Sequence, residues 1–328
     1  MKSWLVRPAR NDDLPALTRL LPGWEAESAA LVDDDGHDPL LLACTLGKDN
    51  IAGAPAACLR LRRRVGLTQP RYWFHVGYRV HAAAELGMFR RERTLLLGND
   101  HTGAAELADF GIDSARLQPA QRTALPRLLI GAALLLLQRD QQTRARADAL
   151  PRVIATLPGQ RDEDGAAPFW EGLGRHFYPG DVAQALARFG HLWRTHVAAL
   201  LPRHPLVVSV LREDAQAAIG AVHADAESLR AALAEYGLRA GQHIDLHDAG
   251  PVYEAHLDAL GCRPAMRLCA LRLAPAIDAP RALLIAADTG DEVWQLPGQL
   301  DDAGHVVLAS DTAARLGWST RQALWVGE

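Results

Sequence analysis

Short apolar stretches punctuated by Gly, Pro, Asn and Asp alternate along this chain with longer segments of helical period, the texture of a sheet with helices packed on it. Residues 3–6 form an apolar edge ending in Arg-Pro, and the capping run Asn11-Asp12-Asp13 precedes Leu14-Pro15-Ala16-Leu17, which predicts strand, turn, helix. Residues 39–45 and 56–62 read as two strands of a meander, joined through the turn residues Gly47-Lys48-Asp49-Asn50 and Gly53. Further on, 94–97 reads as a strand, Gly98-Asn99-Asp100-His101-Thr102-Gly103 as a polar turn and 104–112 as a second strand. Residues 125–138 are apolar on every side, so the prediction is a helix inside the molecule, packed across the sheet. Helices over 214–221 and 225–236 follow, the second with Asp225 at its N-cap and Gly237 where a left-handed C-cap is wanted, and then a strand over 242–246. From about residue 273 the texture changes to short apolar pieces (RALLIAA, EVWQLP, HVVLAS) between Asp, Gly and Pro. The expected fold class is therefore α/β (α+β): a mixed central sheet flanked by helices over residues 1–272 and a small β-rich C-terminal domain over 273–328.

Composition narrows the function. A net charge of -4 over 328 residues, with both signs interspersed, provides no broad basic surface for nucleic acid or an anionic membrane. Small molecules and other proteins are the expected partners. Cys44, Cys58, Cys262 and Cys269 show no CxxC spacing, so they read as reduced packing residues. The start MKSWLVRPARNDD has no apolar signal core, which predicts a cytoplasmic location, and the longest apolar run, 128–137, falls well short of the roughly 20 residues that span a bilayer.

Several residues are candidates for chemistry. His223 lies between two predicted helices, where an imidazole can serve as acid or base or can simply cap the turn. Asn99, Asp100 and His101, with Glu106 on the following strand, can face a cleft and bind a cationic substrate group, although Asn-Asp beside Gly also makes Asx turns unaided. The aromatics of 168–177 read as core packing, and Asp248-Ala249-Gly250-Pro251 as a tight turn. His243, Asp245 and His247 alternate on one strand face, but no fourth ligand stands at metal-site spacing, so a hydrogen-bonded strand surface and no metal are expected. A serine hydrolase is excluded by the lack of a GxSxG elbow.

The strings VGLTQPRYWFHVGYRVHAAAELG (65–87), LLLGNDHTGAAEL (95–107), PFWEGLGRHF (168–177), LLPRHPL (200–206), IGAVH (219–223) and IDLHDAGPVYE (244–254) together resemble the arginine N-succinyltransferase family, in the family's order. The resemblance implies an acetyltransferase-like (GNAT) mixed sheet and transfer of a succinyl group from succinyl-CoA, a co-substrate rather than a resident cofactor, to the α-amine of L-arginine in arginine catabolism. It implies His223 as proton donor.

The sequence departs from that family at three places. Where a glycine-rich loop is expected to cradle the CoA pyrophosphate, this chain has Gln118-Pro119-Ala120-Gln121-Arg122-Thr123-Ala124-Leu125-Pro126, with two prolines that lack an N–H. Arg122 and Arg127 are the side chains that can replace those donors. Phe110 stands where a leucine is expected against CoA, and Leu21-Pro22-Gly23-Trp24-Glu25-Ala26-Glu27 replaces a glycine- and threonine-rich loop. Two alternatives to an active succinyltransferase follow: a weakly active subunit in a homo- or hetero-oligomer with an intact homologue, or an acyltransferase with another acceptor amine.

Overall fold

A computed structural model of the chain describes residues 3–22, 38–47, 52–143, 152–260 and 266–327. Its strands are β1 Trp4–Pro8, β2 Leu40–Leu46, β3 Ala52–Arg62, β4 Trp73–Ala83, β5 Met88–Gly98, β6 Ala105–Ile112, β7 Arg152–Thr156, β8 Leu206–Val207, β9 Arg239–Asp245, β10 Pro251–His256, β11 Arg267–Ala274, β12 Arg281–Ala286, β13 Val293–Leu300, β14 Val306–Ala309 and β15 Ala323–Gly327. The helices are α1 Leu14–Leu20, α2 Pro119–Thr143, α3 Pro168–Gly172, α4 Val182–Phe189, α5 Trp193–Ala198, α6 Glu213–Ala218, α7 Glu227–Glu235 and α8 Ser310–Leu316.

The strands join one mixed sheet in the order β12-β15-β11-β14-β13-β1-β2-β3-β6-β7-β10-β9-β4-β5-β8. Neighbours are antiparallel apart from two parallel pairs, β6 with β7 and β11 with β14. The apolar run expected as a central helix is α2, buried from Leu128 through Asp140 and packed between α7 and strands β2, β3, β6, β12 and β15. Its leucines make it the spine of the largest core, each contributing roughly 1.5–3 kcal/mol by leaving water. By length and composition α2 is able to cross a membrane, but 67% of its most apolar window is buried inside the fold, as befits a core helix.

The structure revises several expectations. Residues 118–126 are not a loop: Pro119 opens α2 at a position where a missing N–H costs nothing, and Pro126 lies inside the helix. The strand expected at 94–97 runs from Met88 to Gly98, paired along its whole length with β4 in a long hairpin without a clear sequence period. Asp225 does not cap α7. His223 is the capping residue instead, its ring accepting from the Asp225 N–H ahead of a short 3-10 turn over Ala224–Ala226. In the C-terminal part, β11 to β15 and α8 enclose a core of their own around Leu283, Ile285, Leu308 and Trp318. Cys44, Cys58 and Cys269 are buried free thiols, while Cys262 and the stretch Gly23–Glu27 lie outside the described residues.

Candidate functional site

The cleft begins where two parallel strands part. β6 and β7 pair only at Ala105 with Val153 and Glu106 with Ile154. Beyond that point Leu107 to Ile112 follow β3, while Ala155 to Pro158 turn away, and the gap is a cavity of about 650 Å³. Both size and position suit a small-molecule site. A bulge shapes one wall: between the pairs Cys58–Gly111 and Arg60–Ala108, β3 has one residue and β6 has two. Asp109 in that bulge adopts φ 48°, unusual for a residue with a side chain. Gly111 is required beside it, because a Cβ there would overlap the Leu20 carbonyl at the end of α1.

Charges of both signs line the cavity. Glu106 is 1% exposed and accepts from Arg71 Nη2 at 2.9 Å and from Arg62 Nη1 at 3.0 Å. Asp109 accepts from Arg60 Nε at 2.8 Å and Arg62 Nη2 at 3.1 Å. Its burial opposes ionisation, but Arg62 and Arg60 outweigh that and hold the carboxyl below the usual carboxylate range. For Arg71 burial prevails. Burial, with Arg62 and Arg194 nearby, lowers its pKa despite Glu106, so it is a cation short of negative partners. Arg194, on α5, places Nε 3.4 Å from Asp245 Oδ2, yet that buried Nε makes no hydrogen bond. The far wall is the turn after β9. Asp245 accepts from the His247 N–H at 2.8 Å and is kept ionised against its burial by Arg194, whereas burial and then Asp245 raise the pKa of Asp248.

The chain matches the family described as arginine N-succinyltransferase beta subunit over residues 29–262, well over half its length. It belongs to the arginine N-succinyltransferase family. An arginine N-succinyltransferase of Salmonella arizonae is 32% identical over 273 residues, covering 77% of this chain and 76% of that one. One from Yersinia enterocolitica is 33% identical over 252 residues, covering 76% and 68%. Among solved structures, arginine/ornithine succinyltransferase subunit AI from Pseudomonas aeruginosa superposes with a TM-score of 0.77 over 99% of this chain and 98% of that one, at 21% identity. That likeness shows a shared fold.

Within this succinyltransferase-family fold the sequence candidates separate. Glu106 and Phe110 line the cavity. His223 stands at its rim: its N–H donates to Pro158 O at 2.9 Å, and Pro158, Asp225 and Ala226 are lining residues. Arg122 and Arg127 are exposed on the first turns of α2 and are not among the lining residues. Arg122 Nε donates to Leu117 O at 3.2 Å, and Arg127 pairs with Glu235 at 2.5 Å, so neither guanidinium is held toward the cleft. Asn99, Asp100 and His101 do not join Glu106, because their turn lies beyond the start of β6, away from the cavity. Asp100 and His101 sit instead beside His243. The expected His243-Asp245-His247 face also divides. His247 turns under Trp170 and Trp193, and Asp245 faces Arg194. Arg71 and Arg194 were not singled out from sequence; no local pattern marks a guanidinium that only distant β6 and β9 carboxylates bury.

Proposed function

We propose that this chain transfers the succinyl group of succinyl-CoA to the α-amine of L-arginine in the cleft between β6 and β7, a step of arginine catabolism. The parting of those strands carries the reading. It leaves main-chain N–H and C=O groups along 107–112 without a strand partner on the cleft side among the described residues, an edge that the amide-bearing arm of CoA can pair with as an added strand does. Arg71 and Arg194 offer guanidinium groups to a carboxylate, and Asp225, Asp245 and Asp248 offer the opposite sign to the acceptor's guanidinium.

The chemistry needs a neutral amine, oxyanion donors and a proton for the departing thiolate. The amine nitrogen attacks the thioester carbon, the tetrahedral intermediate expels the CoA thiolate, and the nitrogen gives up its proton as the amide forms. His223 accepts from the Asp225 N–H through Nδ1, which assigns its own proton to Nε2. That N–H hydrogen-bonds the departing thiolate, and the thiolate takes up the proton that the amine nitrogen releases, so the imidazole stays neutral. Calorimetric titration with succinyl-CoA tests the reading: binding followed by succinylation of arginine supports it, and no binding at millimolar ligand defeats it.

A second reading, a weakly active subunit working beside an intact homologue, has its own support. The Gln118 N–H ahead of α2 is spent on Gln121 Oε1, and the β4–β5 hairpin exposes Tyr78, Val80, Leu86, Met88 and Phe89. Activity that appears only on mixing with a glycine-intact homologue favours it, and turnover of a different amine by the chain alone favours an altered acceptor. In either case we assign residues 273–328 to a unit appended to the acyltransferase part.

A further inference from the structure

Away from the cleft, the 98–103 turn meets β9 and β10 in a cluster of imidazoles. His101 is 1% exposed, and neither of its ring nitrogens has a hydrogen-bond partner. Buried polar side-chain atoms are ordinarily paired, so such a cluster calls for an explanation. His243, on β9, lies with its ring centroid 4.3 Å from that of His101. Its Nε2 is 3.0 Å from Asp100 Oδ2, and its buried Nδ1 is unpartnered. Glu254, on β10, places Oε2 3.8 Å from His101 Nδ1. Three imidazole nitrogens thus stand buried and unsatisfied, one of them 3.8 Å from a carboxylate oxygen.

We propose that His101, His243 and Glu254 bind a divalent transition-metal ion, with zinc as the best fit to two imidazoles and one carboxylate. One ligand atom from each residue lies within 4.8 Å of the other two. A tetrahedral zinc ion with bonds of about 2.0–2.1 Å holds its ligands roughly 3.4 Å apart, a contraction within reach of side-chain torsions. The surrounding shell is already in place. Asp100 takes the Nε2 proton of His243 and leaves Nδ1 as the donor lone pair, the carboxylate–histidine–metal relay that fixes a ligand's tautomer. Arg152 remains on Glu254 as an outer partner at 3.1 Å. Three protein ligands leave a fourth position for water.

Bound there, the ion pins the 98–103 turn to β9 and β10. It also buttresses the cleft, because His101 meets the Trp73 ring edge-on at 5.1 Å and Arg71 lies 5.7 Å from the centroid of that same ring.

The test uses the full chain stripped with a chelator and titrated with zinc, then with cobalt(II) as a spectroscopic probe. The expected result is one equivalent bound, a raised Tm and a tetrahedral cobalt absorption band. Glu254→Gln, a half-buried isosteric change, should abolish the band while circular dichroism stays native. Asp100→Asn should weaken zinc binding by about 10–100-fold. The proposal is overturned if the stripped protein binds no zinc, or if Glu254→Gln and His243→Asn bind it as the wild type does. It is equally overturned if His247→Gln alone abolishes binding, which would place the ion at the separate Asp245, His247 and Asp248 cluster.

Discussion

Arg71 and Glu106 meet at 2.9 Å on the wall of the cleft, and the carboxylate they share with Arg62 is almost wholly removed from water. Glu106 therefore keeps two guanidinium groups in place, and its loss leaves both without their shared counter-charge. Glu106→Gln should destabilise the fold by about 3–5 kcal/mol, the cost of breaking a buried ion pair from one side. Urea denaturation measures this; a loss under 1 kcal/mol would mean water reaches the pair.

His223 has a capping role and a proposed chemical one, and two substitutions separate them. His223→Ala removes the ring that accepts from the Asp225 N–H, so about 1 kcal/mol of stability should go with it. His223→Asn restores a capping acceptor and most of that stability. Turnover with arginine should fall roughly 10²–10⁴-fold in both variants while succinyl-CoA affinity changes little. An asparagine variant with wild-type turnover would reduce His223 to a cap.

The folded protein should lose stability in mild acid. Burial, with Asp245 opposing and Arg194 and Arg161 assisting, lowers the pKa of His247 to about 4 from the ordinary 6.5. Between those values the unfolded chain binds a proton that the folded one refuses, so stability falls as pH drops from 6.5 toward 4. The shift corresponds to about 3–4 kcal/mol at most. His247→Gln should flatten this part of a stability–pH curve, and an unchanged slope would show that other groups carry it.

Arg194 lines the cleft and carries a buried, unbonded Nε. If it receives the distal carboxylate of the succinyl group, Arg194→Met should depress kcat/KM for succinyl-CoA by about tenfold or more, since a charge-assisted hydrogen bond is worth roughly 1.5–3 kcal/mol. Acetyl-CoA, which lacks that carboxylate, should be affected far less. Equal losses with both donors would assign Arg194 to the Asp245 turn alone.

Gly250 follows Ala249, which adopts φ 56°, and a Cβ on Gly250 would overlap the Leu157 carbonyl across the β7–β10 junction. Gly250→Ala should cost about 1–3 kcal/mol or more, because backbone rather than a movable side chain must give way. Thermal unfolding checks this, and an unchanged Tm would indicate that the turn relocates freely.

Much of the fold was legible in local pattern. The unbroken apolarity of 128–137 identified a buried helix, short apolar stretches and turn residues located β2, β3 and β6, and the string matches pointed to a family that the wider comparison bears out. Such features depend on neighbours a few residues apart, and the chain carries them wherever it folds. The 118–126 segment misled because two prolines in nine residues argue against helix locally, whereas α2 places one at its first position and buries the other within the helix. Grouping by sequence also misled: Asn99, Asp100, His101 and Glu106 are close in the chain, yet β6 starts between them and carries Glu106 alone into the cleft. Arg71, Glu106, Arg194 and Asp245 come from four separate parts of the chain. Their charges acquire partners only when the sheet brings β6, β9 and α5 to one cavity and burial strips away the water that would otherwise screen them. The amino-acid order thus determined the elements and the family, while long-range strand pairing decided which side chains share a site.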